Sequence, residues 1–118
     1  MLSEEKEILE YIKDAFKLRE QKLYKQAIEM LYKALDMDND NIEVLFQRGE
    51  LYSFMQNYER ALDYLEQVRA IDSGHIETLK LLTEIYTKEK NFVLKIFYNC
   101  LQIMLICNII DAKLNLHI

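Results

Sequence analysis

The sequence predicts an all-α protein built from a repeated pair of antiparallel helices. Its 118 residues include no proline and two glycines, so the strongest helix breakers and the usual hairpin turn residues are nearly absent. Apolar residues recur every three or four positions, which is the spacing of one helix face. A shift of 34 residues aligns the chain with itself. Together these observations indicate one helix pair that recurs.

The repeat is clearest where "YKQAIEMLYKALDMD" (24–38) aligns with "YERALDYLEQVRAID" (58–72). Tyrosine, alanine, leucine and aspartate coincide there, and most mismatches preserve the apolar or polar character of the position. The same shift aligns "IEVLFQRGELYSFMQNY" (42–58) with "IETLKLLTEIYTKEKNF" (76–92). The pattern predicts six helices, near residues 4–20, 24–37, 41–55, 58–71, 75–89 and 92–110.

Small and aromatic residues occupy recurring places within each pair. Glycine in the middle of a helix costs about 1 kcal/mol relative to alanine, so Gly49 predicts a close approach of two helices. Small residues are expected at these approaches, namely Ala15, Ala27, Gly49 and Ala61. Tyrosines are expected to fill the layer between paired helices, namely Tyr24, Tyr52 and Tyr58.

These motifs resemble the tetratricopeptide repeat family, a 34-residue helix-turn-helix with Gly-x-x-Tyr on the first helix and alanine on the second. "GELY" (49–52) and "YERAL" (58–62) match that pattern. Tyr11 stands where the family has tryptophan, and Asn39 and Ser73 replace its closing proline. The resemblance implies a right-handed superhelical solenoid of antiparallel helix pairs within a single domain (1–118). Its repeats would be 8–41, 42–75 and a degenerate third, 76–111, ending in an apolar helix.

Three aspartates alternate in "LDMDNDNIEVLFQ" (35–47), the spacing that opens an EF-hand calcium loop. Calcium binding would also need a glycine where Asn41 stands and a glutamate where Gln47 stands. The repeat aligns Asp38 with Asp72, which assigns the segment to a turn between helices. We expect Asp40 to cap the next helix, with Glu43 completing a capping box.

The sequence lacks the motifs of common catalytic and metal sites. It has no glycine-rich phosphate loop, zinc-ligand spacing or nucleophile elbow, so we expect no enzyme, cofactor or metal. The net charge of −5 argues against nucleic-acid binding. The acidic start is unlike a signal peptide, which favours a cytoplasmic protein. Cys100 and Cys107 would lie roughly 10 Å apart along one helix face, too far to bridge, and are expected to pack as small apolar residues.

The family resemblance implies that the first helix of each pair lines a concave, peptide-binding groove. Apolar residues at these positions come on top of the face that packs the partner helix, which suggests a binding patch; packing against flanking chain is the alternative. The implied groove residues are Leu9, Ile12, Phe16 and Arg19; Glu43, Phe46, Gln47, Glu50 and Phe54; and Glu77, Lys80, Leu81 and Glu84.

Charge along the implied groove predicts the kind of protein partner. One version of the family clamps a chaperone's C-terminal carboxylate with basic and amide side chains. The matching positions here hold Ile12, Phe16, Gln47, Glu77 and Leu81, so an acidic tail is expected to bind poorly. A basic or amphipathic peptide or helix suits the acidic groove better.

The segment "IFYNCLQIMLICNII" (96–110) is uncharged and apolar nearly all round, whereas a helix that closes a solenoid should have a polar outer face. Lys95 stands where the repeat expects alanine. A shift of five residues would restore the repeat spacing. Phe97, Cys100, Met104, Cys107 and Asp111 then reproduce the intervals of Tyr58, Ala61, Leu65, Val68 and Asp72.

A homodimer through this apolar helix is the leading interpretation. The predicted self-association residues are Phe97, Leu101, Met104, Leu105, Ile106 and Ile110. The alternatives are a structural self-assembly unit, or a fragment of a longer array whose last helix docks in a larger complex. A membrane anchor is disfavoured, because a span needs about 20 apolar residues and this run is shorter and contains Asn99, Gln102 and Asn108.

Overall fold

The computed structural model describes residues 2–115, which form six α-helices and no strand. The helices are α1 (Leu2–Glu20), α2 (Tyr24–Met37), α3 (Ile42–Phe54), α4 (Tyr58–Ile71), α5 (Ile76–Lys88) and α6 (Phe92–Asn115). The all-α prediction is confirmed, and the predicted helix limits agree within two residues except at the end of α6. That helix continues five residues past residue 110, because no proline or glycine stops it.

The chain divides into two compact units. The first, Met1–Ile71, contains α1 to α4, and the second, Asp72–Ile118, contains α5 and α6. In the first unit α1 packs on α2, α3 packs on α4, and α2 also contacts α3. In the second unit α5 packs on α6.

Small residues bring the helices of the first unit close together, as the sequence predicts. Ala15, Ala27 and Ala61 are fully buried. A methyl group added at Gly49 would lie 3.0 Å from two side-chain carbons of Leu65 and 3.4 Å from the Ala61 carbonyl oxygen. Close packing against α4 therefore explains the glycine inside α3.

The turn within each helix pair recurs at the repeat spacing. Lys22, Gln56 and Lys90 all adopt positive φ angles of 60–62°. After each of them the next backbone N–H donates to a carbonyl five residues earlier, as in Asn57 N to Tyr52 O at 2.9 Å. This is the hydrogen bond of a Schellman helix end. Residues other than glycine therefore adopt the left-handed conformation at these three turns.

The helix starts also recur, but one predicted cap is wrong. Asn41, not Asp40, caps α3, and its side chain accepts a hydrogen bond from Val44 N at 3.2 Å. His75 caps α5 in the same way through Thr78 N. The backbone N–H of Asp40 instead donates to the Asp38 carboxylate at 3.2 Å, which makes the aspartate segment a side-chain-stabilised turn.

In the second unit α6 packs on α5 through a face that the sequence analysis did not predict. Tyr98 is buried and stacks on Tyr86 at 5.6 Å between ring centroids. The side-chain amide of Gln102 donates to Leu79 O at 3.2 Å and to Thr83 Oγ1 at 2.8 Å. Leu94, Leu101 and Leu105, on the same side of α6, are half-buried.

The five-residue shift considered in the sequence is therefore not the register that this helix adopts. Phe97, Cys100, Met104 and Cys107 are exposed rather than turned toward α5. The two cysteines are free thiols at the surface and not core packers. The unshifted repeat register places Tyr86 and Tyr98 where Tyr52 and Tyr64 stand in the first unit, and this tyrosine stack positions the helix.

Candidate functional site

The α1 and α3 side of the first unit brings together four of the predicted groove residues. Arg19 forms an ion pair with Glu50. Its guanidinium carbon lies 4.9 Å from the ring centroid of Phe16 and 5.9 Å from that of Phe54, within range for cation–π attraction. Both phenylalanines remain about half exposed, at 48% and 51%. We call these four residues the arginine–aromatic cluster.

An open depression of about 420 Å³ lies beside the first helix, and predicted groove residues contribute to it. Three apolar side chains line it, Ile8, Leu9 and Ile12, together with Glu5, Asp38, Asn41 and Glu43. Gln47 donates a hydrogen bond to Glu43 at 2.7 Å. We call this feature the acidic depression, since its three ionisable residues are carboxylates on an apolar floor.

Two predicted properties of this face need correction. Phe46 is only 8% exposed and belongs to the core, so it is not an apolar residue surplus to the core. Glu50 is paired with Arg19, so it does not present an unpaired charge to a basic ligand. The acidic character of this face therefore comes from the depression and not from the cluster.

The predicted groove residues of the third repeat lie on α5 of the second unit. Glu77, Lys80 and Glu84 are exposed and share one side of the helix, and Leu81 beside them is half-buried. This face carries both signs of charge, so it is polar rather than purely acidic.

Sequence reasoning missed a buried arginine at the centre of the first unit. Arg48 is 2% exposed, and its guanidinium carbon lies 3.5 Å from the ring centroid of Tyr32 and 4.2 Å from that of Tyr64. Within the described part of the chain, its Nε and Nη2 atoms have no hydrogen-bond partner. The sequence did contain a signal for this buried position. Leu82 lies at the same repeat position in the second unit, and an apolar residue there indicates a core site.

The tyrosines around Arg48 have altered acidities. Hydrogen bonding with Tyr64 lowers the pKa of Tyr32, and the positive charge of Arg48 acts in the same direction. Burial raises the pKa of Tyr64 to about 12. Because Arg48 is enclosed by these rings, the group can support the packing of α2, α3 and α4 but offers no accessible charge.

The outer face of α6 is apolar and open. Of the predicted self-association residues, Phe97, Met104, Ile106 and Ile110 are exposed, whereas Leu101 and Leu105 are half-buried on the α5 side. In the described range α6 is also the helix long and apolar enough to span a membrane, over Phe92–Leu114. The helix is longer than the apolar run considered in the sequence, so its length alone does not exclude a span.

A sequence profile of the tetratricopeptide repeat family matches residues 18–85, more than half of the chain. The chain belongs to the tetratricopeptide repeat family. Its repeats are therefore of a kind that builds protein-interaction modules. No curated protein matches the chain by sequence.

Solved tetratricopeptide repeat structures share the fold. A crystal structure of MamA superposes with a TM-score of 0.80 at 16% identity, covering 90% of this chain and 61% of MamA. The second tetratricopeptide repeat domain of Spaghetti (RPAP3), solved with the HSP90 peptide SRMEEVD, gives 0.78 at 15% identity and covers 89% of this chain and 99% of that one. This likeness confirms the predicted all-α helical-repeat solenoid. The chain spans 61% of the length of the MamA structure.

Proposed function

We propose that the chain is a non-catalytic module that binds a basic, amphipathic peptide or helix of another protein on the α1 and α3 side of its first unit. The main support for this proposal is the acidic depression. Its apolar floor suits the apolar face of a helix, and its three carboxylates suit flanking lysines or arginines. The family membership and the peptide held by the RPAP3 domain support a protein ligand in general.

The arginine–aromatic cluster extends this surface with exposed rings. Phe16 and Phe54 offer apolar area next to a guanidinium whose charge is already balanced by Glu50. Such a neutral, aromatic patch favours an apolar side chain of the ligand, since aromatic anchors contribute strongly at protein interfaces. The acidic depression would therefore recognise the charges of the ligand, and the arginine–aromatic cluster would bind its apolar side chains.

Calorimetry with two synthetic peptides tests the proposal. A basic amphipathic helical peptide should bind the full chain, and SRMEEVD should bind weakly, because an acidic tail would meet carboxylates. Glu43→Gln should weaken binding of the basic peptide and make that binding less dependent on salt concentration. Phe16→Ala should weaken binding at any salt concentration. Ile71→Ala, which truncates an exposed apolar residue of α4, is the matched control. Tight binding of SRMEEVD, or no effect of the first two changes, would reject this partner chemistry.

A second proposed function is homodimerisation through α6. The observation that favours it is the row of exposed large apolar residues along that helix, because contiguous exposed apolar surface marks interaction sites. Light scattering of the full chain should show twice the monomer mass, and Ile106→Glu should reduce it. A monomer at high concentration that is unchanged by Ile106→Glu would refute the dimer.

A further inference from the structure

The exposed face of α6 contains a heptad repeat that the 34-residue repeat does not explain. Seven apolar or cysteine residues alternate at intervals of three and four over the whole helix, and all seven are exposed. These residues, which we call the apolar seam, are Val93, Ile96, Cys100, Ile103, Cys107, Ile110 and Leu114. Spacing of this kind is the a and d pattern of a coiled coil.

We infer that α6 pairs with α6 of a second copy as an antiparallel coiled coil through the apolar seam. The inference rests on the proposed homodimer and adds the surface and the orientation. A period of 3.5 residues keeps a seam against a partner helix only when that partner has the same period and supercoils with it. A second copy of this chain supplies a helix with the same period.

The other side of α6 is already occupied, which leaves the seam free for the second copy. Tyr98 and Leu105 lie at the heptad position farthest from the seam, and Tyr98 is buried against Tyr86 of α5. Gln102 is held by its two hydrogen bonds to α5. Membrane insertion of α6 would break these contacts, whereas a coiled coil on the opposite face preserves all of them.

Residue volumes along the seam favour the antiparallel orientation. The a positions are Val93, Cys100, Cys107 and Leu114, and the d positions are all isoleucine. A parallel pair would stack cysteine on cysteine and isoleucine on isoleucine, and isoleucine at d disfavours parallel dimers. An antiparallel pair places a opposite d, so each central layer combines one small and one large side chain.

Ile103 discriminates between the orientations. In an antiparallel pair it lies opposite Cys100 or Cys107 of the second copy, according to which of two registers keeps a against d. In a parallel pair it lies opposite Ile103 of the second copy. Single-cysteine variants can therefore report the orientation.

The experiment uses three full-length variants mixed in pairs, allowed to exchange, and oxidised with diamide. Variant one retains Cys100 alone through Cys107→Ser, variant two retains Cys107 alone through Cys100→Ser, and variant three combines both serine changes with Ile103→Cys. We expect variant three to cross-link with variant one or variant two, and no variant to cross-link with itself. As control, Ile109→Cys in the double-serine background should not cross-link, because Ile109 is exposed but lies off the seam.

Other outcomes separate this inference from the proposed dimer. Self-cross-linking of each variant would show a parallel dimer and overturn the antiparallel assignment only. A dimer that survives Ile103→Glu but not Ile109→Glu would overturn the seam, provided circular dichroism shows both variants helical. A monomer in light scattering would overturn both proposals, and its co-sedimentation with phosphatidylcholine vesicles would assign α6 to a membrane instead.

Discussion

The α3–α4 pair and the α5–α6 pair share one plan but bury their second helices to different extents. Each begins with a side-chain cap, turns at a left-handed residue and stacks two tyrosines, at 5.7 Å for Tyr52 and Tyr64 and 5.6 Å for Tyr86 and Tyr98. Yet α4 buries three apolar residues completely, whereas among the described residues of α6 Tyr98 alone is buried. The turn and the tyrosine stack are therefore common to both pairs, whereas the burial of the second helix differs between them.

The largest expected effect separates the buried side of α4 from the exposed side of α6. Leu65→Ala should lower the free energy of unfolding by about 2–5 kcal/mol, because it opens a cavity in a fully buried site. Ile109→Ala, on the exposed side of α6, should change it by about 0.5 kcal/mol or less. Urea denaturation measures both, and equal losses would contradict the exposure of α6.

The next comparison concerns one repeat position that holds Arg48 in the first unit and Leu82 in the second. Arg48→Ala should cost about 2–4 kcal/mol of stability, since it leaves a cavity between two tyrosine rings and removes the cation–π contact. Arg48→Leu places the residue of the second unit at this position. The stability of this variant should lie within about 1 kcal/mol of the parent value or exceed it. Thermal and urea unfolding give the values. A severe loss in the leucine variant would show that the charge itself is needed.

The helix caps provide a smaller effect. Asn41→Ala should destabilise the chain by about 1 kcal/mol, because it removes the acceptor for Val44 N at the start of α3. Asp40→Ala is the control for the cap that the sequence suggested, and it should have little effect. If the Asp40 variant is the less stable of the two, the assignment of the cap is wrong.

The smallest effect concerns alkaline pH and Tyr64, a half-buried tyrosine of the first unit. Burial favours the neutral form of Tyr64, whose pKa rises to about 12, above the value of about 10 in an unfolded chain. Its contribution to stability is therefore complete below pH 10 and is lost as pH rises toward 12. Tyr32 acts oppositely, because its pKa is lowered.

Tyrosinate absorbance during an alkaline titration measures these acidities directly. Tyr64→Phe should remove the latest ionisation, and Tyr32→Phe should remove an early one. Simultaneous ionisation of all tyrosines in the folded chain would contradict the environment described around Arg48.

The sequence by itself determined the repeat, the close approach at Gly49 and the helix limits other than the end of α6. These depend on local signals, namely the absence of proline, the apolar spacing and the conservation of small residues between aligned repeats, which act within one or two helical turns. The candidate groove was predicted in part for the same reason, because repeat spacing identifies Leu9 and Phe16 on α1 and Phe54 on α3 as residues of a first helix.

The tertiary structure alone decided the surroundings of several side chains. Phe46 and Arg48 became core residues, Arg19 and Glu50 became partners, and Cys100 and Cys107 became exposed. The contacts of Arg48 with Tyr32 and Tyr64 and the pair of Arg19 with Glu50 join residues on different helices, which periodicity cannot locate. On α6 apolar residues occur on every side, so only the stack of Tyr98 on Tyr86 and the hydrogen bonds of Gln102 determine its orientation.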